Sequence, residues 1–284
     1  MQGALKMMVQ ILFDGKFAGI TDLTKDISTF NNGAHSIVTN ISSSAVFPIA
    51  IGVLSIVMMV ELNQKAAHIE GDHQTGAKLI FSVIFKYIIL AMAVRNSNKL
   101  LDGIRAVINA ITQSKDLGGA AVSVTPRTLS QFNDAIDKAD TIDQVGMLIF
   151  LLIPFLIGIV AKGAVIIIVY MRFAELYALT AFAPLPFAFL ANDETKPMGT
   201  GFLKKYVEVC LHGACIIAAA LIYTQLVSNV ETDEKSPLHV VPIGSESALS
   251  WLLSNYVPVA AAPVLLMMLI FGAGKIAKAL VGNG

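Results

Sequence analysis

Between residues 145 and 191 the chain runs for 47 residues with three charged side chains, Lys162, Arg172 and Glu175. A bilayer core about 30 Å thick is crossed by about 20 helical residues. As one straight helix this stretch would measure about 70 Å, so it must bend, break or cross twice. Pro154, Pro184 and Pro186 are the break points it offers, since proline removes a helix hydrogen bond and clashes with the preceding turn.

The remaining composition agrees with a lipid solvent. Of 284 residues, 55% are hydrophobic and 14% charged, where globular chains carry about 25% charged; mean hydropathy is +0.71. So few charges cannot clothe a water-soluble globule of this size. An ordinary cytosolic enzyme, a disordered chain and a disulfide scaffold are thereby excluded. Basic and acidic residues each number 20, and no basic excess marks a tight nucleic-acid binder. Cys210 and Cys215 would stand about 140° apart on a helix and read as packing residues. Residues 1–20 lack the continuous apolar core and cleavage site of a secretory signal, so internal segments are expected to direct insertion.

These features predict an all-α polytopic membrane protein with five or six transmembrane helices, a long kinked central helix and an amphipathic N-terminal segment. Residues 1–40 form that segment, with Met8, Ile11, Leu12 and Phe17 at near-helical spacing, lying in the interface or loosely packed. Residues 41–94 hold the first two spans, at 41–60 and 79–94. Residues 95–144 read as a polar loop with six basic and six acidic side chains. The long segment 145–191 follows, and residues 207–227 and 251–271 supply the last two spans, separated by an acidic external loop at 228–250.

Orientation follows from loop charge. The 228–250 loop carries Glu231, Asp233, Glu234 and Glu246 against one lysine, whereas the 192–206 loop carries three lysines and the tail Lys275 and Lys278. The positive-inside rule places the acidic loop outside and the other two in the cytoplasm. Trp251, Tyr256 and Tyr223 are then expected at the outer interface and Tyr206 at the inner one. Two schemes fit the N-terminal half. Six spans with the N-terminus inside would leave 14 of 17 loop cations inside, and five spans with it outside would leave 7. Charge favours six.

Charges inside apolar spans must face protein, water or a partner. Lys86 and Lys162 can snorkel or line a channel; Glu208 lies close enough to a span end to be solvated. Arg172 and Glu175, three apart, share a helix face and can pair. Together with Pro184 and Pro186 they are the candidate interface or channel-lining residues. Other chemistry finds no support. Gly272-Ala-Gly-Lys275 has Leu269 where a phosphate loop needs glycine and Ile276 where it needs a hydroxyl. Cys210, His212 and Cys215 do not converge on one point, and His68 with His73 reads as a solvated pair. Neither a Gly-x-Ser-x-Gly elbow nor a His-Glu-x-x-His helix occurs. No catalytic residue, cofactor or metal is expected.

Residues 169–190 read Val-Tyr-Met-Arg-Phe-Ala-Glu-Leu-Tyr-Ala-Leu-Thr-Ala-Phe-Ala-Pro-Leu-Pro-Phe-Ala-Phe-Leu. This resembles the signature of TrbL-like polytopic inner-membrane subunits of conjugative type IV secretion systems, in the Gram-positive conjugal transfer branch. The pattern falls on Arg172, Glu175, Tyr177, Thr180, Ala181, Ala183, Pro184 and Pro186, supported by Val60-Glu-Leu, Asn192-Asp-Glu and Phe202-Leu-Lys-Lys. The resemblance implies a membrane channel or platform subunit working as several copies in the bacterial cytoplasmic membrane. Its implied partners are a VirB-type ATPase, a bitopic scaffold and a coupling protein, with relaxase-bound single-stranded DNA as transient substrate. It also implies five spans, an outside N-terminus and an outside 95–144 segment, against the charge count. The alternatives are a small-solute secondary transporter, which calls for two related halves, and an intramembrane enzyme, which needs a convergent catalytic set; the sequence displays neither.

Overall fold

The computed structural model describes residues 1–13, 19–66, 73–114, 127–228 and 247–282. Among the described residues there is no strand. Helix α1 (Gln2–Phe13) is followed by the single turn α2 (Ile27–Phe30) and by α3 (Asn32–Ile41), which runs through a π turn at Ser42–Val46 into α4 (Phe47–Ala66). Then come α5 (His73–Arg95), α6 (Ser97–Thr112), α7 (Arg127–Lys138), α8 (Thr141–Ala181) and α9 (Pro184–Phe189). The chain continues as α10 (Lys196–Ser228), α11 (Ala248–Ser254) and α12 (Tyr256–Leu280). Asp26 and Asn31 cap α2 and α3, each side chain accepting a backbone N–H of the first turn, as short polar residues at helix starts do.

Among the described residues, five helical stretches are long and apolar enough to cross a membrane: Asn32–Ala66, Ala77–Arg95, Thr141–Ala181, Lys196–Leu226 and Tyr256–Leu280. The six-span scheme favoured by charge is therefore corrected. Segment 145–191 makes one long helix that continues through Pro154, and α9, six residues long, is too short to cross again. Proline is tolerated within membrane helices where neighbours satisfy the freed carbonyl. Lipid is the natural solvent of the outer faces: Met59 is 73% exposed and Phe81 70%, side chains that a soluble monomer would not leave in contiguous apolar patches. Coverage by protein is uneven. In α10, 56% of the apolar window is buried, against 17% in both of the first two spans.

The chain divides into two compact units. The first comprises residues 1–25, 110–171 and 212–277. Here α1 packs on α7, burying Leu5, Val9 and Leu12 together with Phe132, Ala135 and Ile136. Lys6 pairs with Asp137 at 2.7 Å. The N-terminal segment thus contains a helix that buries Leu5, Val9 and Leu12 in protein and leaves Met8 and Ile11 half-exposed; Phe17 lies outside the described residues. The polar region 95–144 is likewise more than a loop, since it supplies α6 and α7. Trp251 packs edge-on against Phe132 with ring centroids 4.7 Å apart, and it and Tyr223 are buried rather than standing at the lipid surface.

The second unit comprises residues 26–109, 172–211 and 278–284. Its frame is the antiparallel pair α4–α5, with α9 packed against both helices. The Asn98 amide donates to the Ser42 hydroxyl at 3.0 Å, tying the π turn to the first turn of α6.

Candidate functional site

The site is built at the C-terminal end of α8, where the sequence signature falls. Arg172, Phe173, Leu176, Thr180 and Ala181 are buried, a spacing that forms one helical face. Thr180 satisfies its hydroxyl by donating to the Leu176 carbonyl at 2.7 Å. The helix stops after Ala181 because Pro184 cannot donate the next hydrogen bond, and Pro184 instead opens α9 near its first position, where a missing N–H costs nothing. The turn into α10 is closed by Thr195, whose hydroxyl donates to the Phe189 carbonyl at 2.7 Å. Here α10 meets α9 closely: a Cβ on Gly199 would lie 2.6 Å from the Pro186 carbonyl oxygen.

Arg172 is 3% exposed and does not pair with Glu175. Its Nε donates to the Val209 carbonyl at 3.1 Å and its Nη2 to the Cys210 carbonyl at 3.3 Å, while Nη1 has no partner among the described residues. The guanidinium also stands 5.4 Å from the centre of the Phe173 ring, which stacks on Phe30 at 3.8 Å. Glu175 points the other way and is exposed. Residues three apart on a helix can meet, but the guanidinium fork finds main-chain oxygens on α10 instead. A carbonyl engaged in a helix keeps a second lone pair for such a donor.

A second arginine grips the same turn of α10. Arg105 of α6, outside the membrane spans, is 4% exposed and reaches three partners. Its Nε meets Asp26 at 2.6 Å and its Nη2 meets Asp102 at 2.7 Å, while its Nη1 donates to the Tyr206 hydroxyl at 3.2 Å. Burial works against this charge, but Tyr206, Asp26 and Asp102 outweigh it and hold the guanidinium above its ordinary pKa. Tyr206 is fully buried, so its ring packs in protein rather than against lipid. Tyr206, Val209 and Cys210 fall within about one helical turn, so α6 and α8 each fix α10 by a guanidinium. The Tyr177 hydroxyl, 2.6 Å from the Ile27 carbonyl, adds a tie between α8 and α2.

The α4–α5 pair carries a third polar centre. Lys86 lies 2.9 Å from Glu61, the Tyr87 hydroxyl donates to the same carboxylate at 2.9 Å, and Lys65 approaches it at 3.3 Å. Lys86 therefore does more than snorkel. Opposite charges at 61 and 86 on consecutive apolar helices were the available signal, missed because Glu61 ends its apolar run. Lys162 is half-buried in the first unit. Of the candidate residues, the structure brings Arg172 and Pro184 into the buried interior of the second unit, leaves Pro186 partly covered and Glu175 outside, and joins Lys86 to a carboxylate.

Among the described residues, five helices apolar enough to cross a membrane, with α8 and α6 each holding α10 by a buried guanidinium, define a multi-pass membrane protein. Among the described residues no group of three or more His, Cys, Asp and Glu could hold a metal ion. Residues 18–184, more than half of the chain, match the family model of the TrbL/VirB6 plasmid conjugal transfer like proteins, and the chain belongs to that family. No curated protein matches it. The family match ends at Pro184, so it takes in α8 with Arg172 and Glu175, while Pro186 and α10 lie beyond it.

Proposed function

We propose that this chain is the polytopic subunit of a conjugative type IV secretion machine in the bacterial cytoplasmic membrane. Several copies form a platform or conduit that helps relaxase-bound single-stranded DNA across. Its partners are a VirB-type ATPase, a bitopic scaffold and a coupling protein. The observation that carries this reading is the family match over residues 18–184, joined to five apolar helices. Zero net charge suits a conduit, which must not hold its cargo tightly. The C-terminus is cytoplasmic, a reading supported by the lysines of the 192–206 loop and the tail, and an odd number of spans then goes with an N-terminus outside.

Deleting the coding sequence from its mobile element is expected to abolish transfer of a marked plasmid, with recovery when the wild-type chain is supplied in trans. Formaldehyde cross-linking during mating is expected to recover the transferred strand with this protein. Transfer at full frequency in the deletion would refute the reading, and so would recovery of an unrelated solute instead of DNA. For sidedness, Ala120→Cys and Val240→Cys in a background lacking Cys210 and Cys215 should label from outside in intact cells, and Met198→Cys should not. Labelling of position 198 alone would reverse the orientation.

A further inference from the structure

Two cavities lie along the α4–α5 pair of the second unit. The first, about 400 Å³, has Ser42, Ser43, Arg95, Ser97 and Asn98 as its polar lining. The second, about 330 Å³, is lined on α4 by Ile51, Leu54, Ser55 and Met58 and on α5 by Ile84, Tyr87, Ile88 and Ala91. Phe47 and Val94, which also line the first cavity, continue both rows. Positions 47, 51, 54 and 58, and 84, 88, 91 and 94, each recur at three or four residues and so follow one helical stripe. The cavities therefore succeed one another along the same face of the pair, polar at one end and mainly apolar over the rest, where the Ser55 and Tyr87 hydroxyls already donate to the Ile51 carbonyl and to Glu61.

The polar end lies where a membrane surface belongs, because Arg95 is the last residue of the Ala77–Arg95 span. It is cationic and contains no carboxylate; Arg95 itself forms no ion pair among the described residues. Ser97 and Asn98 begin α6 with one residue between it and the end of α5, so the opposed helix-end partial charges offset each other and Arg95 supplies the positive charge there. Ser42 and Ser43 open the π turn, a widened turn of the kind found at functional sites. A cavity of this volume falls within the range of small-molecule sites, about 300–1,000 Å³. Along the apolar part, the two spans are the least covered by protein of the five, each 17% buried.

We propose that this groove holds one anionic phospholipid per chain, with its phosphate against Arg95 and the start of α6 and an acyl chain along the Ile51–Met58 and Ile84–Ala91 stripes. The absence of an acid from the lining favours an anionic headgroup over one bearing an ammonium, which would meet Arg95 with like charge. The inference needs only a membrane-inserted chain and stands apart from the role in DNA transfer.

The test is native mass spectrometry of the purified full chain in detergent, supplied with phosphatidylglycerol or phosphatidylethanolamine of identical acyl chains. Wild type is expected to retain one phosphatidylglycerol about fivefold better than phosphatidylethanolamine, the ratio one basic side chain near an anionic headgroup supplies. Arg95→Gln should remove that preference, and Ala91→Trp, which fills the apolar part alone, should lower retention of both lipids about threefold or more. Unchanged helical circular dichroism and elution volume qualify each variant. Equal retention of the two lipids by wild type would overturn the proposal, as would wild-type retention in both variants. Displacement of the lipid by millimolar inorganic phosphate would show a free-anion pocket and also overturn it. Efficient disulfide dimers of Met58→Cys, made without Cys210 and Cys215, would give the groove to a second copy and overturn it too.

Discussion

Lys86 and Arg172 are both cations inside apolar helices, and the second unit handles them in opposite ways. Lys86 meets a carboxylate at 2.9 Å and keeps 40% of its side chain exposed. Arg172 is almost wholly enclosed and is met by two main-chain carbonyls. An ammonium is a compact, strongly hydrated charge that wants an acid or water, whereas a guanidinium is planar and weakly hydrated and spreads its charge over several acceptors. The lysine centre is thus a side-chain charge pair between α4 and α5; the arginine centre is a side-chain-to-main-chain bracket between α8 and α10. A buried cation with a partner removed, or with the wrong group in its place, is costly, while the Lys86 pair is backed by a second cation, Lys65, on the same carboxylate.

The comparison breaks most sharply at Arg172→Glu, which would put a carboxylate against the Val209 and Cys210 carbonyls. Destabilisation of about 3–5 kcal/mol is expected, read as loss of monodisperse protein in detergent and of conjugal transfer. Normal thermal stability and transfer would show that the bracket has no structural role. Arg172→Lys keeps the charge and removes the planar fork; a loss of about 1–2 kcal/mol in thermal unfolding is expected, and none at all would mean that charge, not geometry, matters there. The smallest effect falls on the lysine centre. Lys86→Gln should cost about 1 kcal/mol, since Lys65 still reaches Glu61 at 3.3 Å. The double-mutant cycle with Glu61→Gln should return a coupling of about 0.5–1.5 kcal/mol. A coupling larger than the Arg172→Lys loss would invert the ranking of the two centres.

The sequence announced apolar helices and the break near Pro184 plainly, because both depend on local chemistry. It did not show what each helix touches. Arg172 and Glu175 have the spacing of a pair, yet the arginine's acceptors lie on α10, nearly forty residues away, and nothing in the spacing could reveal that. The stripe of α1 was legible as amphipathic, but periodicity records an apolar face and not whether lipid or α7 covers it. Region 95–144 passed for a loop because its charges were counted without their phase; Phe132, Ala135 and Ile136, now buried, repeat at helical spacing. Tyr206 and Trp251 looked like interfacial aromatics by position, and both are core side chains. The five-span count needed the structure, since loop charge favoured six and only a continuous helix from Thr141 to Ala181 decides between them.

Because Arg172 holds α10 by its peptide oxygens, the hold carries no memory of which side chains stand at 209 and 210. Those positions are free to drift among small apolar residues that fill the same space, while the docking of the two helices stays put. Constraint is displaced onto a single codon on the far helix. A mutational survey should find tolerance where the contact is received and intolerance where it is given.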